Sequence, residues 1–390
     1  MKVKILRYLK HVFFTVIVLA AIAVFVGLQI GAAVNYGEHP QRLNLDKEGP
    51  YIFYKNDSTL NVNYIKGNKD DGFYLQQQDY PASSKIKAKT FFGLDSTYFY
   101  YTIDTVFGQP ASVYQDDNPI LAISDIEGGY KTFRDFLINN KVIDADLNWS
   151  FGKGHLVLVG DFVDRGYSVT QVLWFIYKLE NEAEKQGGKV HFILGNHELK
   201  NMQGKYEAAS PRYYAAAAIL GKLHHQLYDS NSFIGRWMAS KNSIEKINGN
   251  IFVHGGIHPE VADLDLNLEE INQIVKKQYY QTYFPKTEKS AEQLLTSTKK
   301  GISWYRGYYK EDLKQVQIDY ILQKFDAKSI VVGHTLQSEV STSFEGKIIG
   351  IDIKHPKDYR NTWPNTDSQG LLIKDDQYYR TLLDGSKELL

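Results

Sequence analysis

Five short apolar runs in this chain each end on a side chain that can bind a metal ion. Ile120-Leu121-Ala122-Ile123 gives way to Ser124-Asp125. The run 155–159 gives way to Gly160-Asp161, and 190–194 to Gly195-Asn196-His197. The run 250–253 ends on His254-Gly255-Gly256, and 329–332 on Gly333-His334. A single Gly-Asp or Gly-Asn after a strand is an ordinary turn. A whole set that delivers carboxylates, an amide and imidazoles points to one shared site. The chain has no cysteine, so thiolate metal sites, disulfides and cysteine nucleophiles are excluded. Mixed oxygen and nitrogen ligands suit Mn, Fe, Zn or Ni.

The runs have the character of strands covered on both faces. Helix-like stretches lie between them. Residues 130–140 place Phe133, Phe136 and Leu137 on one face, and residues 168–185 are a second such stretch. Helices alternating with buried strands predict a layered α/β core. Ligands past the carboxyl ends of such strands gather in one crevice. At 390 residues the chain is long enough for one large domain plus an extension. Lys+Arg and Asp+Glu are equal at 45 each, so no overall field favours nucleic acid, and no nucleic-acid partner is expected.

Residues 12–28 are almost continuously apolar, broken by Thr15, and the run weakens through residue 34. A membrane-spanning helix needs about 20 residues. Lys2, Lys4, Arg7, Lys10 and His11 precede the run, and no basic residue follows until Arg42. This asymmetry predicts a cytoplasmic tail over 1–11, a signal anchor over 12–34, and a periplasmic or extracellular remainder. The alternative is a cleaved secretion signal, with Gly31-Ala32-Ala33 as the cleavage region.

Residues 48–117 alternate apolar and polar side chains and predict a small antiparallel β-rich module without chemistry of its own. Its Tyr98-Phe99-Tyr100-Tyr101 cluster reads as strand packing. Residues 260–300 read as a helical insert, with Leu266, Leu268, Ile271, Ile274 and Val275 as its packing face. Tyr279, Tyr280, Tyr283 and Phe284 read as packing too. His155 and His191 read as structural, and His258 as a rim residue.

Gly160-Asp161-Phe162-Val163-Asp164-Arg165-Gly166, Gly195-Asn196-His197-Glu198, His254-Gly255-Gly256 and Gly333-His334 resemble the signatures of calcineurin-like metallophosphoesterases. The Asp-Arg-Gly ending resembles the phosphoprotein-phosphatase branch. Asn201-Met202-Gln203-Gly204 and Ser303-Trp304-Tyr305-Arg306-Gly307 resemble its Shewanella-like group. The segments 346–352 and 370–373 look like that branch's closing strands. The resemblance spans about residues 119–385. It implies an α/β layered fold, a central β-sandwich flanked by helices. It also implies two divalent cations, Mn foremost, with Fe, Zn or Mg as the others. Asp125 and Asp161 would hold the first cation, and Asp161, Asn196, His254 and His334 the second. Asp161 would use one oxygen on each, and a water shared between the cations would be acidified and attack phosphorus in line. His197 would protonate the leaving oxygen, oriented by Asp164. Arg165, Arg306 and Asn196 would contact the phosphate.

One position departs from the pattern. The first motif reads Asp125-Ile126-Glu127-Gly128, where the family has Asp-x-His-Gly. Glu127 is expected to coordinate the first cation and to favour a hard ion such as Mn or Mg. The alternative is that Glu127 fails to reach, leaving a weak first site. The expected activity is hydrolysis of phosphomonoesters, on a phosphorylated small molecule or protein. Nucleotide or dinucleotide polyphosphate hydrolysis is the enzymatic rival. A weakened phosphatase fold used for binding or scaffolding is the reading of another class.

Overall fold

A computed structural model describes residues 2–29, 34–281, 287–310 and 313–390. The expected runs are all strands: Ile120–Ile123, His155–Val159, Lys189–Ile193, Asn250–Val253 and Ser329–Val332. Alternation assigns their two faces. Ile120, Ala122, Val157, Val159, Ile193, Phe252 and Val331 point into one buried apolar layer. Leu121, Ile123, Leu156, Leu158, Ile251, Val253, Ile330 and Val332 point the other way, into a larger core shared with helices.

The strands belong to two six-stranded sheets. In the first, Ile120–Ile123 pairs parallel with His155–Val159, which pairs parallel with Lys189–Ile193. Gln369–Lys374 continues this sheet antiparallel to Ile120–Ile123. In the second, Asn250–Val253 pairs parallel with Ser329–Val332. Register aligns the exits: Val159 lies opposite Ile193, and Val253 opposite Val332. The sheets share the first apolar layer and helices cover their outer faces, so the chain has the α/β sandwich architecture expected of it.

The helix Val169–Lys185 is buried on every face from Val169 to Leu179. A helix apolar all round must be covered all round. One cover is the sheet. The other is the β-rich segment, with the meander Glu48–Asn56, Thr59–Asn68 and Gly72–Pro81 and the hairpin of Ile86–Phe92 with Thr97–Ile103. Tyr101 stacks on Trp174 at 5.1 Å, and Phe99 meets Phe175 edge-on at 5.3 Å. Trp174 Nε1 donates to the Pro50 carbonyl at 2.9 Å. Val113–Tyr114 extends the second sheet beside Ile244–Ile247. The apolar side chains of this segment thus share one core with the sandwich.

The helical insert is three pieces, Pro259–Ala262, Leu268–Lys276 and Ala291–Thr296. Leu268, Ile271 and Val275 are buried. Tyr279 is buried with its hydroxyl 2.9 Å from Ser243 Oγ, which is core packing. Tyr283 and Phe284 lie outside the described residues. At the amino end, Lys2–Gln29 is one helix whose 4–27 stretch is long and apolar enough to cross a membrane, and none of that stretch is buried against the rest. Residues 30–33 of the expected anchor lie outside the described residues.

A buried ion pair joins the β-rich segment to the sandwich. Arg212 Nη2 donates to Glu48 Oε2 at 2.6 Å, and Gln171 Nε2 donates to the same oxygen at 3.0 Å. Glu48→Ala would leave Arg212 charged and unpaired in the interior, which costs about 3–5 kcal/mol. A urea unfolding series is expected to show that loss, with partial recovery in Glu48→Ala/Arg212→Met.

Candidate active site

The site is built from loops that leave the aligned strand ends. Backbone hydrogen bonds tie two of them together: Asp125 N donates to Gly160 O at 3.0 Å, Glu127 N to Asp161 O at 3.0 Å, and Gly128 N to Phe162 O at 2.9 Å. Glu198, wholly buried, clamps the next pair. Its Oε2 accepts from Asp161 N and Gly195 N, both at 2.9 Å, and its Oε1 from Phe162 N at 2.8 Å and Val163 N at 3.2 Å. The turns are tight. Asp125, Glu127, Asp161, Asp164, Arg165 and His334 all have positive φ, between 49 and 68°. Non-glycine residues adopt that region rarely, and strain of this kind concentrates at functional sites. Gly160 is required: a Cβ there would lie 2.7 Å from His254 Nδ1.

Asp161, His254 and His334 are all buried and bring ligand atoms within 4.8 Å of one another. Asn196 joins them. Its Oδ1 is 3.0 Å from His254 Nε2, and the same end of the amide is 3.0 Å from His334 Nδ1 and 3.2 Å from Asp161 Oδ2. The Asn196 amide nitrogen instead faces the Lys200 ammonium at 3.2 Å. Donor thus meets donor, and acceptor meets acceptors. Turning the amide satisfies both ends, and a cation among the four side chains would satisfy the oxygen end as it stands. His254 Nδ1 is 2.7 Å from the Val159 carbonyl and its Nε2 is 3.1 Å from Asp161 Oδ2; against burial, which lowers it, the Asp161 charge pushes this imidazole up to about 10, and a bound cation would take the place of the Nε2 proton. Burial first, and then His254, push the His334 imidazole down to about 2, which keeps it neutral. These donors fit a divalent ion.

His197 stands beside the cluster. Its Nδ1 is 2.7 Å from Asp164 Oδ2, and its backbone N donates to Asp161 Oδ1 at 2.9 Å. Asn201 Nδ2 donates to the other Asp164 oxygen at 2.8 Å. Asp164 thus holds the Nδ1 proton and turns Nε2 to the crevice. Arg165 Nη2 lies 3.2 Å and Lys200 Nζ 3.4 Å from that Nε2. Arg165 is the open member, with 55% of its side chain exposed. Arg306 lies against His334, donating to its carbonyl from Nη1 with Nη2 3.4 Å from its Nδ1.

Asp125 and Glu127 are buried beside the cluster but hold other partners. Asp125 Oδ2 accepts from the His334 backbone N at 3.2 Å and from Ser124 Oγ. Glu127 is ion-paired with Arg165 through Oε1 and with Lys357 through Oε2. Asp352 is a further carboxyl in the electrostatic field of Asp125, and burial pushes it up to about 7.

Sequence reasoning gave Glu198, Lys200, Asp352 and Lys357 no role. Glu198 sits inside a quoted motif and could have been found there. Lys357 had no local signal. His155 and His191 form a buried chain away from the site: His155 Nε2 is 2.9 Å from Asp116 Oδ1, Nδ1 is 2.9 Å from His191 Nε2, and His191 Nδ1 is 2.6 Å from Glu245 Oε2. His258 Nδ1 accepts from Glu260 N at 3.1 Å and caps Pro259–Ala262. Glu198→Ala strands buried backbone N–H groups and is expected to lower stability by about 2–4 kcal/mol. Urea unfolding checks that loss, and Mn(II) titration is expected to show weaker binding in the same variant.

Comparison with known proteins agrees with this geometry. Residues 118–338 match the model of the calcineurin-like phosphoesterase family. Shewanella-like protein phosphatase 1 of Plasmodium berghei is 30% identical over 237 residues, 56% of this chain and 61% of that protein. The match to Shewanella-like protein phosphatase 2 of Arabidopsis thaliana is 34% identical over 93 residues, 24% of each chain. The chain therefore spans less than two thirds of either relative's length. A crystal structure of a cold-active protein-tyrosine phosphatase from a psychrophilic Shewanella species superposes with a TM-score of 0.76 and 30% identity, covering 88% of this chain and 99% of that one. With its family model matched over residues 118–338, which carry Asp125 to His334, and its fold shared over nearly a whole phosphatase, the chain belongs to the calcineurin-like phosphoesterase family.

Proposed function

We propose that this chain is a metal-dependent phosphomonoesterase, with a phosphoprotein as the favoured substrate, held at a membrane by its amino-terminal helix. One observation carries the reading: four buried donors converge on one point beside a carboxylate-oriented histidine. Asp161, Asn196, His254 and His334 would hold the divalent ion. What such an ion supplies when bound is polarisation of a phosphoryl oxygen and a water acidified toward neutral pH.

The remaining work falls to protein side chains. Arg165 and Lys200 put cationic N–H groups at the crevice mouth, where they can take phosphate oxygens. His197 presents Nε2 to the same space and delivers a proton to the leaving oxygen. Asp164 stabilises the imidazolium form and fixes the ring. Arg306 holds the backbone of His334 in place.

The phosphoprotein preference rests on relatives whose names or titles are protein phosphatases. The location rests on the apolar run 12–28 of the amino-terminal helix and the basic residues before it, which favour a catalytic part outside the cytoplasm. A secretion signal has the same features, and amino-terminal sequencing of the membrane fraction separates the two.

Hydrolysis of an aryl phosphate tests the activity. Chelation is expected to abolish it and Mn(II) to restore it. His197→Ala is expected to lower kcat by about 10²–10⁴-fold, the usual contribution of a positioned acid. Equal, background-level rates for the wild type and His197→Ala would favour the scaffold reading instead.

A further inference from the structure

We infer that the Lys357 ammonium takes the place of the first of the two expected cations, leaving one divalent ion per chain beside a built-in positive charge. The inference rests on the proposed metal-dependent reading of the site. Glu127 stands where the family pattern has a ligand imidazole. Both its oxygens are committed to cations, Oε1 to Arg165 and Oε2 to Lys357. A metal on Glu127 would have to displace one of them. Among the described residues, the group of ligand-type side chains that converges is Asp161, His254 and His334, without Asp125 or Glu127.

Lys357 is placed there by construction. Its neighbours bind both flanks of the loop that carries Asp125 and Glu127. His355 Nε2 is 2.9 Å from the Ser124 carbonyl, and its Nδ1 is 3.1 Å from Ser368 Oγ. Thr132 Oγ1 donates to the Pro356 carbonyl at 3.0 Å. Asp358 Oδ2 accepts from Lys131 N at 2.9 Å, at the start of the helix Tyr130–Asn139. A segment pinned on both sides carries its middle residue over the loop. Asp125 and Asp352 lie within electrostatic reach of the ammonium. Three carboxyls, Asp125, Glu127 and Asp352, therefore share a pocket with the Lys357 and Arg165 cations.

The departure at 127 and the presence of Lys357 fit each other. An imidazole at 127 would face a mostly buried ammonium and remove the carboxylate that is ion-paired with it. A carboxylate at 127 and a lysine at 357 make a matched pair. Glu127 is then a counter-ion to Lys357, not a ligand.

The test is metal stoichiometry. The full chain in detergent is stripped with chelator and dialysed against saturating Mn(II). Bound metal is counted by elemental analysis, and Mn–Mn coupling is read by electron paramagnetic resonance. One uncoupled Mn per chain is expected for the wild type. Two per chain, with a coupled spectrum, are expected for Glu127→His/Lys357→Ala. Lys357→Arg is expected to remain at one. Two coupled Mn in the wild type would overturn the inference and leave the proposed function standing. A double variant that melts like the wild type yet still binds one Mn would also overturn it. No bound Mn in the wild type would overturn the inference and the proposed function together.

Discussion

Four electron-pair donors aimed at one buried point repel one another unless something positive lies between them. Asp161, Asn196, His254 and His334 are in that position. Each is buried, and one end of the Asn196 amide faces the other three. Burying such acceptors without a partner costs free energy, so the surroundings must enforce the arrangement. They do so at several levels. Parallel register brings the strand exits level, glycines let the loops approach, and Glu198 gathers four backbone N–H groups that would otherwise splay the loops. The positive φ values of Asp161 and His334 are the strain that remains.

Charge sets the rest of the site. Asp164 holds the His197 ring from one side, and the cations Arg165 and Lys200 flank its other nitrogen. That end of the crevice is made for an anion. The other end, around Asp125, Glu127 and Asp352, is acidic and is answered by Lys357 and Arg165. Arg165 touches both ends and links them.

Much of this was legible because it is local. An apolar run, a small residue and a polar side chain fall within six or seven positions, so the strands and the convergence of Asp161, Asn196, His254 and His334 were expected from spacing and resemblance. Long-range placement was not. Lys357 reaches Glu127 from 230 positions away, and only the pinning of His355 and Asp358 sends it there. The β-rich segment is built of short strands. Its role as a cover was written elsewhere, in the helix Val169–Lys185, whose apolar residues go all the way round. The helical insert broke into pieces because periodicity predicts a face but not the turns between packed segments.

The most direct test is a crystal of the chain grown with manganese and measured at the manganese absorption edge. An anomalous peak enclosed by Asp161, Asn196, His254 and His334 is the expected result. A crevice without such a peak, or a peak at a site that none of these four side chains touches, would contradict the reading of these residues as a metal centre.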